Sequence, residues 1–328
     1  MDYLKKAWRP LLAIALIAVL IKKGPFQVDQ LKFILTHSSI VILGFVIFFL
    51  QALVFSFRWK LFVNLVTKVS IFKIFQLNLV GYFFNYFIPG GVGGDIVKAL
   101  ELSKDKSTTR SVALSTVMSD RVFGLFAMVS LTFIFLLAEY AVNKEEYILK
   151  FLILSAFLFF GISIALLFLP FILLKLSKAL STKSSKVLLK LDKLVTSLHF
   201  TFTTFKNIKI QFKSFFMSLA GQLIAIYFMF EVIKALGVTP PSFFLFFSLC
   251  CFSFVASAIP IFPAGIGVGQ AAIYVMFANI SDDLGKASIT AISALQIFNL
   301  FYALIGGVVF SFMPKIKKEY IPIINEKN

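Results

Sequence analysis

From Ser39 to Phe57 the chain carries no charged side chain, and Arg58-Trp59-Lys60 follows at once. A helix rises about 1.5 Å per residue, so a run of about twenty apolar residues reaches across the roughly 30 Å hydrocarbon core of a bilayer. A charged and aromatic stop is the anchor expected where such a helix meets the lipid headgroups. The pattern recurs: full spans are predicted over Trp8–Ile21, Ser39–Phe57, Val112–Ala138, Leu149–Leu174, Phe212–Ile233 and Ala287–Met313. Composition closes the alternatives. The 328 residues are 59% hydrophobic and 14% charged, with 43 Phe and a mean hydropathy of +0.95. A soluble domain is about 25% charged and needs more polar surface than this. A soluble enzyme, a disordered chain and a disulfide scaffold are excluded. The expected fold is an all-α integral membrane protein, a single transmembrane domain over residues 1–328.

Two further apolar runs are interrupted. Ile71–Ile88 meets Pro89-Gly90-Gly91-Val92-Gly93-Gly94-Asp95, and Pro241–Ile259 meets a break from Pro260 to Gln270, after which Ala271–Ile280 continues. Irregular backbone at membrane depth survives only when buried in protein or lining a wet cavity. The two breaks therefore predict re-entrant hairpins, beside six full spans. Pro89 and Pro260 stand 171 residues apart, and a shift of 171 lays the span 39–60 on 210–231 and 112–139 on 283–310. Each half (39–139 and 210–313) then reads span, broken hairpin, span. With both termini cytoplasmic, 24 Lys/Arg fall inside and 7 outside, with Arg121 within a helix. That bias obeys the positive-inside rule and makes the halves inverted repeats. Between them, residues 178–207 read as a basic amphipathic helix on the membrane surface, or as a connecting helix on the protein itself. The first span lacks a small-residue cleavage pattern and is expected to remain.

The net charge is +17. In a soluble chain that would suggest nucleic acid; here it marks cytoplasmic loops and contact with anionic lipid, and no nucleic-acid partner is expected. Cys250 and Cys251 are adjacent in an apolar run and read as small buried hydrophobes, and His37 and His199 are isolated. No metal site, cofactor, nucleophile set or nucleotide-binding loop is expected, so the chain is read as a non-enzyme. Any driving force is a gradient, the membrane potential or downhill lipid flow.

The first break carries the sharpest chemistry. In Asn85…Pro89-Gly90-Gly91-Val92-Gly93-Gly94-Asp95 the glycines free backbone N–H groups, which with the amino end of the next helix suit a phosphate; a tight helix-packing turn is the plainer alternative. Arg121 lies about 16 Å beyond Arg110 along its helix, near the midplane, where an arginine is costly and expected to be paired. Asp120 is its neighbour and points about 100° away, so Asp95, Glu101 or a lipid phosphate are the better partners. Asp95, Lys98 and Glu101 share a helix face as an acid–base–acid ladder, or else a snorkelling cytoplasmic face. Arg58 reads first as an interface anchor and second as a ligand contact. Pro260, Pro263, Gly265, Gly267 and Gly269 expose backbone, and Gln270 is the polar side chain expected to line a cavity there.

Arg58-Trp59, the Asn85 to Asp95 block, Ser119-Asp120-Arg121 and the Pro263…Gly265…Gly267…Gly269 block resemble the lysylphosphatidylglycerol synthase transmembrane-region family, across roughly residues 8–313. The family commonly has a glutamate after the second glycine run, where this chain has Gln270. Bifunctional relatives add a soluble aminoacyl transferase domain, which is not expected here. The resemblance implies lipid translocation in a prokaryotic inner membrane, with both hairpins meeting at a central cavity. The substrate would be an anionic phospholipid or a polyprenyl-phosphate-linked molecule. A coupled transporter of a small soluble anion, a membrane-embedded lipid enzyme and a non-catalytic partner of a lipid or glycan synthase are the alternatives. Partners beyond lipid would be that synthase or a second copy of the chain.

Overall fold

The computed structural model describes residues 32–33, 36–87, 93–105, 108–181, 207–257 and 267–313. Among them the main elements are α1 Ser38–Val63, α2 Ile71–Phe87, α3 Gly93–Leu102, α4 Arg110–Val142, α5 Glu146–Ser181, α6 Ile208–Ala235, α7 Phe243–Ser257, α8 Val268–Ala278 and α9 Asp282–Phe312, with no strand. Five of these helices, α1, α4, α5, α6 and α9, are long and apolar enough to cross a membrane. The chain is an all-helical, multi-pass membrane protein. The expected first span, Trp8–Ile21, lies outside the described residues, as do both break tips at 88–92 and 258–266. The membrane-crossing part of α5, Glu146–Leu173, ends where the expected span does, while the helix itself continues to Ser181 and the rest of the basic stretch up to 206 is outside the described residues.

Local chemistry sets the helix ends. Thr109, Asn207 and Ser281 cap α4, α6 and α9 by accepting from the N–H of the third residue on, at 3.2–3.3 Å. Asp282 and Asp283 add negative charge at the amino end of α9, where the helix dipole favours it. The carboxyl end of α6 closes through Gly237, whose φ of +76° admits glycine freely. Its N–H donates to the Lys234 carbonyl, and that of Val238 to the Ile233 carbonyl, so two otherwise orphaned carbonyls are satisfied. Inside the helices, hydroxyls bond their own backbone, as in Ser56 to Ala52 and Ser253 to Leu249.

The helix order repeats. Moved by 171 residues, α1, α2, α3 and α4 fall on 209–234, 242–258, 264–273 and 281–313, beside α6, α7, α8 and α9. The packing follows the same exchange: α1 lies against α6, α2 against α9, and α7 against α4. Gly306 of α9 meets the α2 backbone so closely that a Cβ would stand 1.9 Å from the Leu79 carbonyl oxygen. Phe48, Phe228 and Phe298 from α1, α6 and α9 form a mutual aromatic cluster with centroids 5.4–5.8 Å apart. Cys250 and Cys251 are wholly buried in the same core, as expected. The α5 helix packs along α4 through Phe159 against Phe126 and Phe133, and turns its other face outward. Phe157, Phe168 and Phe171 there are more than half exposed, an apolar surface that suits lipid.

Candidate functional site

The α2–α3 hairpin is fastened from both limbs. Gly94 N–H donates to Asn85 Oδ1 at 3.0 Å, so the amide of α2 satisfies an amino-terminal donor of α3. Gly81 and Gly94 let the two backbones touch: a Cβ on Gly94 would lie 2.0 Å from the Gly81 carbonyl oxygen. This close packing places α3 so that Asp95, Lys98 and Glu101 are all buried.

Around them stands a cluster of charges from three helices. Arg58 of α1 grips Asp120 of α4 with two bonds, Nε to Oδ1 at 2.8 Å and Nη2 to Oδ2 at 3.1 Å. Its Nη1 donates to Ser218 Oγ of α6 at 3.0 Å, and the Phe55 ring lies under the guanidinium at 4.8 Å. A bidentate fork of this kind suits arginine and not lysine. Gly124, one turn beyond Asp120, makes the room: a Cβ there would stand 2.9 Å from Arg58 Nη1. Arg121, the next residue on α4, pairs with Asp95 of α3. The pairing of Arg121 with Asp95 is among those expected from the sequence.

Several other expectations are corrected. Arg58 is not a membrane-interface anchor, because α4 and α6 close over it and leave it 8% exposed. The acid–base–acid ladder does not form. Glu101 pairs with Lys104, and Lys98 lays its ammonium on the face of Trp59, 4.2 Å from the ring centroid. Lys98 does not snorkel either; it is 8% exposed, its stem held against Gly81. Trp59 is itself fixed, fully buried with Nε1 donating to Thr116 Oγ1 at 3.2 Å. Nothing in the sequence marked Trp59, Ser218 or Gly124 as neighbours of these charges, although Gly124 stands four residues after Asp120 and so shares its helix face.

The second break contributes differently. Gly267 caps α8 at φ +86°, a conformation only glycine adopts without strain. Gln270 turns back on it, Oε1 accepting from Gly267 N–H at 2.7 Å, while Nε2 donates to Gln296 Oε1 of α9 at 2.6 Å. Its polar atoms thus tie α8 to α9 rather than line open space. Gly269 sits under Ser257 and Ile292. Tyr86 of α2 also reaches α9, donating to the Gln296 carbonyl at 2.8 Å. Pro89, Gly90, Gly91, Pro260, Pro263 and Gly265 lie outside the described residues.

The buried charges here are Arg58, Lys98, Asp95, Glu101 and Asp120, with Arg121 and Lys104 more exposed and paired to Asp95 and Glu101. Lys98 has no carboxylate within ion-pair distance among the described residues. Ser119 Oγ and Ser214 Oγ, buried beside this cluster, have no hydrogen-bond partner there either. A lysylphosphatidylglycerol synthase transmembrane-region model matches residues 7–307. The chain belongs to that family. It is also similar to a UPF0104 membrane protein of Methanocaldococcus jannaschii, 30% identical over 163 residues. That match takes in 48% of each protein, so this chain spans about half the length of the curated relative. No solved structure matches the chain. Family membership and the apolar exterior agree on a membrane-embedded role, and α1, α3 and α4 carry a cluster of buried charges within it.

Proposed function

We propose that this protein is a lipid flippase that carries an anionic headgroup across the inner membrane through the region between its two hairpins, and that it is a transporter rather than an enzyme. The observation that carries the reading is the Lys98 ammonium, buried on α3 against the Trp59 ring with no carboxylate in ion-pair distance among the described residues, in a protein whose long helices are apolar. A buried cation without a direct carboxylate partner is costly, and a headgroup phosphate would supply one. Lys98 is the cation best placed to turn toward it, since its ammonium rests on a ring face and not on a carboxylate. Arg121 and Asp95 would exchange partners as the headgroup enters and leaves. The repeated helix order supports alternating access, in which one half rocks against the other around the site. Both termini would be cytoplasmic, as the lysine and arginine distribution asks.

The test is fluorescent-lipid accessibility in proteoliposomes, with phosphatidylglycerol, an aminoacylated form and a polyprenyl phosphate compared. Wild-type protein should speed the movement of at least one of them. Loss of one charge-assisted contact is worth a factor of about ten or more, so Arg121→Ala and Lys98→Ala should slow movement by that much. Movement at the wild-type rate by folded Arg121→Ala protein would remove Arg121 from the mechanism. No movement of any lipid by folded wild-type protein would overturn the flippase reading in favour of a soluble-anion transporter or a synthase partner.

A further inference from the structure

Outside the charge cluster, a groove of about 420 Å³ opens between α1 and α6. That is within the roughly 300–1,000 Å³ of ordinary small-ligand sites. Its walls are Phe57 of α1 and Phe212, Phe216, Met217 and Ala220 of α6, with Lys213 as the one charged group. The packing explains why it opens here. Near Gly221 the two helices are close, because that glycine admits the Phe55 ring and its carbonyl accepts from Gln51 Nε2 at 3.1 Å. Toward the start of α6 the small Ala220 leaves space and the large rings splay outward. Phe57, Phe212 and Phe216 are 45%, 59% and 60% exposed.

Two features identify the occupant. The first is charge. The α1 helix contains no carboxylate, and the first on α6 is Glu231, so among the described lining residues the groove presents one cation and no acid. A long apolar trough with one exposed ammonium at its side matches an acyl chain attached to an anionic headgroup. The second is position. Phe57 and Met217 line the groove, and the next residues on their helices, Arg58 and Ser218, are hydrogen-bonded to each other at 3.0 Å. The lining is thus one residue along each helix from the Arg58–Ser218 contact.

We infer that this groove binds an acyl chain of an anionic phospholipid, with its phosphate at Lys213, and that the Arg58–Ser218 bond is the barrier its headgroup crosses to reach Lys98 and Arg121. The crossing rests on the transport reading above; the lipid site stands without it.

The test uses the full chain in phosphatidylcholine vesicles that carry a trace of photoreactive lipid, its acyl chain bearing a diazirine. The headgroup is either phosphoglycerol or choline, and adducts are mapped by mass spectrometry. Groove residues should label about five-fold more with the anionic lipid, the preference that one lysine near an anionic headgroup gives. Phe157 and Phe168 on α5 should show no preference. Lys213→Gln should abolish the preference, and Lys209→Gln, exposed but outside the groove lining, should keep it. Ala220→Phe should remove groove adducts while α5 labelling persists, which also shows that the variant is folded. Equal labelling of the groove by both lipids, or groove labelling untouched by Ala220→Phe, would overturn the site. Selective labelling without lipid movement in the same vesicles would leave the site standing and refute transport. Lipid movement with unselective labelling would do the reverse.

Discussion

Arg58 and Asp120 show how much a single pairing holds. Their side chains are about one-tenth exposed and joined by two charge-assisted bonds. Asp120→Ala would leave a buried guanidinium without its carboxylate, which costs about 3–5 kcal/mol. A double variant, Arg58→Met with Asp120→Leu, removes both charges and should melt near the wild-type temperature in detergent while losing transport. A melting point as low as that of Asp120→Ala would show that the pair itself stabilises the fold. Glycines make a second comparison. Gly94→Ala would drive a Cβ into the Gly81 carbonyl, so the α2–α3 hairpin must open and the protein should lose thermal stability sharply. Gly161 on α5 has open space around it, and Gly161→Ala should stabilise the helix by roughly 0.5–1 kcal/mol. The need of Arg121 for a partner was legible in the sequence, with Asp95 one of three candidates, because an arginine within an apolar helix demands one. Arg58 was not. It stands at the end of an apolar run, where an anchor is the ordinary reading, and only the helices that close over it change its surroundings.

At the scale of elements, the two hairpins use the same device with different residues. In the first, Asn85 accepts from the N–H that opens α3; in the second, Gln270 accepts from the N–H of the residue that caps α8. Each amide meets a donor that the helix geometry leaves unsatisfied. Gln270→Ala should therefore fray the start of α8 and release it from Gln296, seen as faster amide hydrogen exchange from Gly267 to Ile273. Gln270→Glu should preserve slow exchange, since a carboxylate accepts from Gly267 and a turned Gln296 amide can donate to it. Exchange as slow in Gln270→Ala as in the wild type would show that Gly267 and packing alone hold the helix. The breaks themselves were plain in the sequence, because proline and glycine interrupt an apolar run visibly. The bond of Gln270 to Gln296 was not legible, because that partner lies 26 residues on and on another helix.

Among the described residues the helices form two sets of four in the same order, with α5 between them in the chain and packed mainly along α4. Its buried charges lie among the inner helices, while large apolar side chains such as Phe157, Phe168 and Phe171 face outward beside a core that is itself rich in phenylalanine. Phe157 on α5 is 74% exposed. Phe157→Lys would place a charge in the apolar belt, at about 2.5–3.5 kcal/mol on insertion scales. The yield of membrane-inserted protein should fall, while Phe157→Leu should leave it unchanged. An unchanged yield for the lysine variant would mean that this face of α5 is not in hydrocarbon.

The sequence by itself determined that this chain is helical, enters a membrane and breaks two of its helices. Each of those outcomes depends on the side chains of one local segment, summed against water, lipid or a backbone hydrogen bond. It also carried the repeat, because a shift of 171 residues is a property of order alone. Only the tertiary structure decided which charges meet. The contacts of Arg58 with Asp120 and Ser218 join positions 62 and 160 residues apart. The resting place of Lys98 depends on a tryptophan from a third helix. Such pairings follow from how helices cross and from which glycines let them approach, and that is fixed by the packing of all of them together.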